Sequence, residues 1–181
     1  VGGNVCPFDS DTSKRGKPWI YPHIAEEARA RLLFDDPFAT SAVLVRTHVF
    51  RSEPPIDFRL DYPPAEDYDV WERVAQKGAV ANLPRVLTHY RIHAAQASTA
   101  GKEREVVSVR RIQARQLEAL GLSDITEAER ELHLSFGMNL YHRSSGETLA
   151  NSVADYQDRS EDWLLKLRAQ NQSSGTYAAA A

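Results

Sequence analysis

The apolar and polar positions of the chain follow a helical period most clearly between residues 65 and 81. Apolar residues at positions 70, 71, 74 and 75 form one stripe, and Gly78 supplies the stop that commonly ends a helix. Ahead of the stripe, Glu66 and Asp67 follow two prolines and fall in the cap and first turn, where unpaired N–H groups favour negative charge. The pattern predicts a helix that begins with two carboxylates, and by itself it requires no more of them than capping.

Four other stretches carry the apolar spacing of amphipathic helices. Ile24, Ala28 and Leu32 recur every four residues among strong helix formers, which predicts a helix over 24–34. Further helices are predicted at 103–120, where Gly121 ends the helix, at 126–141, where Thr126 and Glu129 form a capping box, and at 153–170, with anchors at Tyr156, Trp163, Leu164 and Leu167. The carboxyl-terminal part of the chain is therefore predicted to be helical.

Strands are predicted where valine and isoleucine concentrate outside those helices. Residues 1–5 are typical of a strand end, 86–90 of a strand, and 41–45 of a short buried strand followed by a helical turn at 47–50. Residues 6–23 have the composition of an exposed loop, and the loop 51–64 has room for a short strand. This order predicts an α/β domain over 1–100, an α-helical extension over 101–170 and a disordered tail over 171–181.

Composition narrows the class of protein. The chain has 181 residues, 42% of them hydrophobic and 26% charged, which gives room for one domain with a sizeable core. Its net charge of −3 lacks the basic field of a nucleic-acid binder, so no nucleic-acid partner is predicted. Cys6 is the single cysteine, which excludes an internal disulfide and suits a reducing compartment.

The sequence also leads to expectations about membrane-spanning segments and about whether the chain is part of a longer protein. No apolar run approaches the roughly 18 residues of a transmembrane span, and no signal peptide opens the chain. We therefore expect a cytoplasmic protein without a transmembrane segment, while peripheral membrane association through other parts stays open. The start at Val1-Gly2-Gly3, without methionine, leads us to expect a piece of a longer protein.

A second motif follows the central helix and changes this picture. The chain continues with Asn82-Leu83-Pro84, a short strand, and Tyr90-Arg91-Ile92-His93, with Gln96 and Ser98 behind it. Together with the run from Glu66 to Arg73, these residues resemble the second half of the GT-A catalytic domain of family 2 inverting glycosyltransferases. The resemblance covers about a third of the chain, and residues 1–3 and 37–46 fit the same family more loosely.

The resemblance implies an α/β fold in which residues 1–100 are the C-terminal half of a GT-A, nucleotide-diphospho-sugar transferase-like domain. It implies that Asp67 is the base that deprotonates an acceptor hydroxyl, with Glu66 as its neighbour. Arg91 would neutralise the charge of the donor diphosphate. The sugar site would include Thr40, Ser41 and Trp71, although two small hydroxyl residues and an aromatic ring on an apolar stripe also suit structural roles.

The same resemblance implies a divalent metal, Mn²⁺ or Mg²⁺, that offsets the charge of the leaving diphosphate. His93 would supply one ligand, and most of the others would come from an Asp-x-Asp motif outside this chain. Asp9-Ser10-Asp11 matches the letters of that motif. It lies in the wrong order along the fold, so we interpret it as part of a loop.

The implied function is transfer of a sugar from a nucleotide-sugar donor to a glycan acceptor, with inversion, in polysaccharide biosynthesis. Because the nucleotide-binding half is absent, we expect this chain to be inactive by itself. The alternative is a non-catalytic glycan- or protein-binding module of the same fold, whose helical extension makes a protein interface or a homo-oligomer. A hydrolase fits less well, because the adjacent Glu66 and Asp67 are poorly placed for attack from two sides of a glycosidic bond.

Overall fold

The computed structural model describes residues 1–9, 11–93, 102–138 and 153–177, which form two compact units. The first unit comprises residues 1–32 and 36–109, and the second comprises 33–35 and 110–181. The division lies at 109/110, inside a helix, and the domain boundary at 100/101 stays a prediction. Gln96, Ser98 and the end of the helix predicted at 126–141 lie outside the described residues, and the GT-A topology stays a prediction.

The first unit contains a two-stranded parallel sheet of β1 (Gly2–Asp9) and β2 (Asn82–Ile92). Their pairing runs from Gly2 opposite Asn82 to Asp9 opposite Ile92, with an irregular register around Asn4. The strand predicted at 86–90 is confirmed. The loop predicted at 6–23 is wrong over residues 6–9, because β2 offers pairing partners as far as Ile92 and thereby extends β1 to Asp9.

Gly2 and Gly3 are required by the packing around β1. A Cβ atom on Gly2 would lie 2.2 Å from Asn82 Oδ1, and one on Gly3 would lie 2.4 Å from Leu87 Cδ1. Asn82 cannot easily yield, because its Nδ2 donates to the carbonyl oxygens of Pro22 (2.9 Å) and Pro37 (3.0 Å). The glycine pair therefore permits a close approach that any side chain would prevent.

In the first unit, the helices agree with the predictions from the sequence better than the connecting segments do. They are α1 (Ala25–Arg31), α2 (Thr47–Phe50) and α3 (Glu66–Ala75), and Thr40–Ala42 forms a short 3-10 turn. The central helix α3 is confirmed, with Val70, Trp71 and Val74 buried. Its N-cap is Ala65, which has no capping side chain, so Glu66 and Asp67 both lie in the first turn.

The buried strand predicted at 41–45 is wrong. The 3-10 turn occupies its first residues, and Leu44 exposes 80% of its surface. The backbone of Leu44 bonds instead to Val1, with its N–H donating to the Val1 carbonyl and its carbonyl accepting from the Val1 ammonium, both at 2.8 Å. No strand is assigned within 51–64 either, where Ile56 is buried while Phe58 and Leu60 are exposed.

The second unit is helical. Its helices are α4 (Lys102–Ala119), which begins in the first unit, α5 (Glu127–Met138) and α6 (Val153–Ser174). Gly121 ends α4 with a φ of +88°, and Thr126 and Glu129 form the predicted capping box, with the Thr126 N–H 2.8 Å from Glu129 Oε2. The buried core consists of Leu33, Leu117, Leu120, Leu122, Ile125, Leu132, Trp163 and Leu167.

Two predictions about α6 are corrected. The helix continues to Ser174, so residues 171–174 are not part of a disordered tail, and 178–181 lie outside the described residues. Leu164 was predicted as an anchor but is 45% exposed, because Trp163 and Leu167 occupy the buried side of the helix. Among the described residues, no helix combines the length and the apolar character needed to cross a bilayer.

His133 lies in the core of the second unit, and the sequence pattern did not indicate it. Its Nε2 donates to the Leu33 carbonyl oxygen at 2.9 Å, because its Nδ1 already accepts the Trp163 indole N–H at 3.1 Å. Burial, only partly opposed by the bond to Leu33, lowers the pKa of His133 to about 4. The imidazole is therefore neutral at physiological pH, and its two buried hydrogen bonds connect Leu33 with Trp163 inside the second unit.

Gly137→Ala is expected to destabilise the chain by about 1–3 kcal/mol, the usual cost of overpacking. A Cβ atom on Gly137 would lie 1.7 Å from the backbone oxygen of Phe34, which cannot turn aside as a side chain can. Urea unfolding followed by circular dichroism measures the change. Gly78→Ala is the matched control, since a Cβ there meets nothing within 4 Å; equal stabilities of the two variants would contradict this packing.

Candidate functional site

Three residues predicted for one site are hydrogen-bonded to each other at the start of α3. The Thr40 hydroxyl donates to Asp67 Oδ2 at 3.3 Å, and it accepts the indole N–H of Trp71 at 3.3 Å. The other oxygen of Asp67, Oδ1, accepts the backbone N–H of Tyr68 at 2.9 Å. One hydrogen bond to each carboxylate oxygen therefore fixes the orientation of the Asp67 side chain.

The position of Thr40 is set by the strand beside it. Thr40 lies in the 3-10 turn, and the next residue, Ser41, accepts a hydrogen bond from the Thr88 hydroxyl of β2 through its backbone oxygen, at 3.1 Å. This bond ties the turn to β2 on one side, while Thr40 contacts α3 on the other. Thr40 and Ser41 are exposed, so the group lies at the surface of the unit.

Trp71 packs as a core residue. It is 5% exposed, and its ring meets the ring of Phe58 edge to face, with centroids 6.1 Å apart. Edge-to-face contacts of this kind are favourable between aromatic rings. The burial supports the structural role that the apolar stripe suggested, and the indole N–H is the polar part of Trp71 that reaches Thr40.

The electrostatic environment makes Asp67 a stronger base than an ordinary aspartate. Burial raises the pKa of Asp67, and the negative charge of Glu66 adds to the rise, while the hydrogen bonds from Tyr68 and Thr40 oppose it. Desolvation disfavours the charged form of a carboxyl group. Glu66 Oε2 is itself buried and has no hydrogen-bond partner among the described residues. The first turn of α3 therefore holds two adjacent carboxyl groups, of which Asp67 retains its proton to a higher pH than usual.

A second carboxylate of α3 has a structural role. Asp69 is fully buried, and its Oδ2 accepts from Arg73 Nε at 3.0 Å and from Arg73 Nη2 at 2.7 Å. Arg73 therefore pairs with a buried carboxylate of its own helix. The i, i+4 spacing of Asp69 and Arg73 is the sequence signal that indicates such a pair.

Arg91 and His93 lie at the carboxyl end of β2. Arg91 is near the carboxyl end of β2 and His93 directly follows it, and both are exposed. Within residues 1–9, 11–93, 102–138 and 153–177, no three His, Cys, Asp or Glu side chains form a group that could hold a metal ion. The described residues therefore do not by themselves supply the metal site that the resemblance implies.

Asp9 closes a loop. Its Oδ1 accepts from the backbone N–H groups of Asp11 (3.0 Å) and Thr12 (2.8 Å) and from the Thr12 hydroxyl (2.9 Å). These bonds lower the pKa of Asp9, the N–H of Thr12 having the largest effect. Aspartate commonly makes such bonds in turns, so the carboxylate of Asp9, at the end of β1, has a structural role in the turn that follows the strand.

Comparison with known proteins bears on the class of reaction. Over 94 residues the chain is 34% identical to a protein of Haemophilus influenzae named "Uncharacterized glycosyltransferase". This chain is similar to a glycosyltransferase. The matched region is 52% of this chain but 29% of the relative, so the chain spans less than a third of the protein that it matches. No protein-family model and no solved structure matches the chain.

Proposed function

We propose that this chain is part of a glycosyltransferase that transfers a sugar from a nucleotide-sugar donor to a glycan acceptor with inversion, and that Asp67 is its general base. The similarity to a protein named as a glycosyltransferase supports the class of enzyme. The observation that carries the role of Asp67 is its geometry: a half-buried carboxyl group in the first turn of α3, beside the exposed Thr40, with both oxygens held by hydrogen bonds. Its raised pKa suits a group that must take up a proton.

The proposed reaction is a single displacement. The acceptor hydroxyl oxygen forms a bond to the anomeric carbon, and its proton passes to the Asp67 carboxylate. The bond between the anomeric carbon and the diphosphate oxygen breaks on the opposite face, so the nucleoside diphosphate leaves with the electron pair. Asp67 later returns the proton to solvent. The anomeric configuration of the transferred sugar is thereby inverted.

The other predicted residues receive roles within this proposal. Glu66 shapes the charge around the base, since its buried Oε2 lacks a partner among the described residues. Arg91, which is exposed at the end of β2, would approach the diphosphate of the donor, and Ser41 would contact the sugar. Ligation of Mn²⁺ or Mg²⁺ by His93 stays a prediction, as does the expectation that most of the ligands belong to residues outside this chain.

The proposal is tested on the complete protein that carries this chain. It is incubated with a panel of nucleotide sugars, with and without polysaccharide acceptors, and release of nucleoside diphosphate is measured. We expect release that depends on the acceptor, and a product whose anomeric configuration, read by NMR, is opposite to that of the donor. Release without an acceptor would indicate a hydrolase, retention would exclude the displacement above, and binding of a glycan without any release would favour the non-catalytic module.

A further inference from the structure

We propose that Thr40 is a positioning residue, which aligns the Asp67 carboxylate for proton transfer, and that Trp71 fixes the direction in which the Thr40 hydroxyl donates. The sequence suggested that the Thr40 hydroxyl contacts a sugar. The structure instead engages this hydroxyl both as a donor and as an acceptor within the protein. The inference rests on the proposed function of Asp67 as a base.

The chemistry of the three groups decides the direction of the hydrogen bonds. The indole N–H of Trp71 can only donate, so Thr40 Oγ1 must accept in the 3.3 Å contact between them. An ionised carboxylate can only accept, so the single proton of the Thr40 hydroxyl points to Asp67 Oδ2. The order Trp71 to Thr40 to Asp67 is therefore fixed whenever Asp67 carries its charge.

Both ends of this chain of hydrogen bonds are held in place. Trp71 is buried one helical turn after Asp67, and the ring of Phe58 packs against it. The 3-10 turn that carries Thr40 is tied to β2 through the bond from Thr88 to the Ser41 oxygen. With Oδ1 held by the Tyr68 N–H and Oδ2 by Thr40, rotation of the Asp67 carboxylate costs at least one hydrogen bond.

Opposing effects in this arrangement set the pKa of Asp67. Burial and the neighbouring Glu66 carboxylate, which is the charged group that acts on Asp67, both favour the protonated form. The hydrogen bonds of Tyr68 and Thr40 favour the ionised form. Thr40 therefore keeps Asp67 ionised at a lower pH than burial alone would allow, while it holds the carboxylate in one orientation.

Thr40→Val tests this role in the complete protein, with Thr40→Ser as the matched control. Valine keeps the size of the side chain but lacks the hydroxyl, so kcat at neutral pH is expected to fall about 10- to 100-fold, the effect of one hydrogen bond to a charged group, with little change in KM. The acidic limb of the pH profile should move to higher pH. Thr40→Ser should stay close to the wild type in both respects, and Trp71→Phe should fall between the two.

A direct measurement separates this proposal from the proposed function. Carbon-13 NMR titration of the aspartate carboxyl groups follows the pKa of Asp67 without any assay of activity, and Thr40→Val should raise it. An unchanged Asp67 pKa in Thr40→Val, or equal losses in Thr40→Ser and Thr40→Val, would overturn the positioning role. If the pKa moves as expected but loss of the Asp67 carboxylate leaves transfer intact, the function proposed for Asp67 fails, and with it the catalytic meaning of the Thr40 bond.

Discussion

Asp67→Asn is expected to lower sugar transfer by the complete protein about a thousandfold, within the range of general-base contributions. The amide has nearly the shape of the carboxylate, and its single oxygen can still accept from either Tyr68 or Thr40, but it cannot take a proton from the acceptor. Affinity for the nucleotide sugar, measured by isothermal titration, should change little. Unaltered turnover would refute the role of Asp67, whereas loss of both turnover and nucleotide affinity would indicate that Asp67 acts in binding.

The same substitution has a predicted effect on stability. Because the folded-state pKa of Asp67 is raised above its ordinary value of 3.8, this group stabilises the fold most at pH values below 3.8, and that contribution is lost as the pH rises through the folded-state pKa. The side chain in Asp67→Asn carries no charge at any pH, so the variant does not lose this stability as the pH rises. At pH 7 we expect the variant to be more stable by about 0.5–2 kcal/mol, the usual size of a stabilising substitution.

A matched variant separates this effect from the general removal of a carboxylate. The exposed Asp57 places its Oδ1 3.8 Å from Nη1 of Arg73, which is largely buried. Asp57→Asn removes only this long, partly exposed ion pair, worth about 0–1 kcal/mol. Urea unfolding at several pH values compares the two. Equal responses of Asp67→Asn and Asp57→Asn would show that the environment of Asp67 is not special.

His133→Ala is expected to destabilise the second unit by about 3 kcal/mol or more, because it leaves two buried polar groups without partners. These are the Leu33 carbonyl and the Trp163 indole N–H, which His133 joins at 2.9 and 3.1 Å. Hydrogen exchange of the amides of α6, where Trp163 lies, reports the loss. His23→Ala, at an exposed histidine, should leave the exchange rates unchanged.

The pH dependence of the second unit should follow His133. Its pKa falls from 6.5 in the unfolded chain to about 4 in the fold, so the unfolded chain takes up a proton first. The contribution of the neutral His133 to the free energy of unfolding is therefore complete above pH 6.5 and decreases as the pH falls to about 4. The total loss is about 3 kcal/mol, from 1.36 kcal/mol per pKa unit. His133→Ala should lack this dependence, and a wild type with stability unchanged between pH 7 and 4 would contradict the buried neutral imidazole.

Local patterns predicted the helices well. The stripe of Val70, Trp71 and Val74 and the box of Thr126 and Glu129 both concern residues within one or two turns of each other, whose contacts follow from the helical period. The segment 41–45 has the composition of a strand but forms none, because a strand needs a neighbour and its backbone bonds go to Val1 and Thr88 instead. Residues 6–9 look like a loop and are a strand, because β2 pairs with them.

The amino-acid pattern alone indicates that a helix begins at Glu66-Asp67, that a strand ending at Tyr90 follows, and that helices occupy most of the rest. Only the tertiary structure decided what Asp67 is hydrogen-bonded to. Thr40 lies 27 residues from Asp67 and 31 from Trp71 along the sequence. The period of a helix or a strand relates only residues within a few turns or positions of each other, so it could not indicate these contacts. Burial and partners of this kind come from the packing of distant segments, and they set the proton affinity of a carboxyl group.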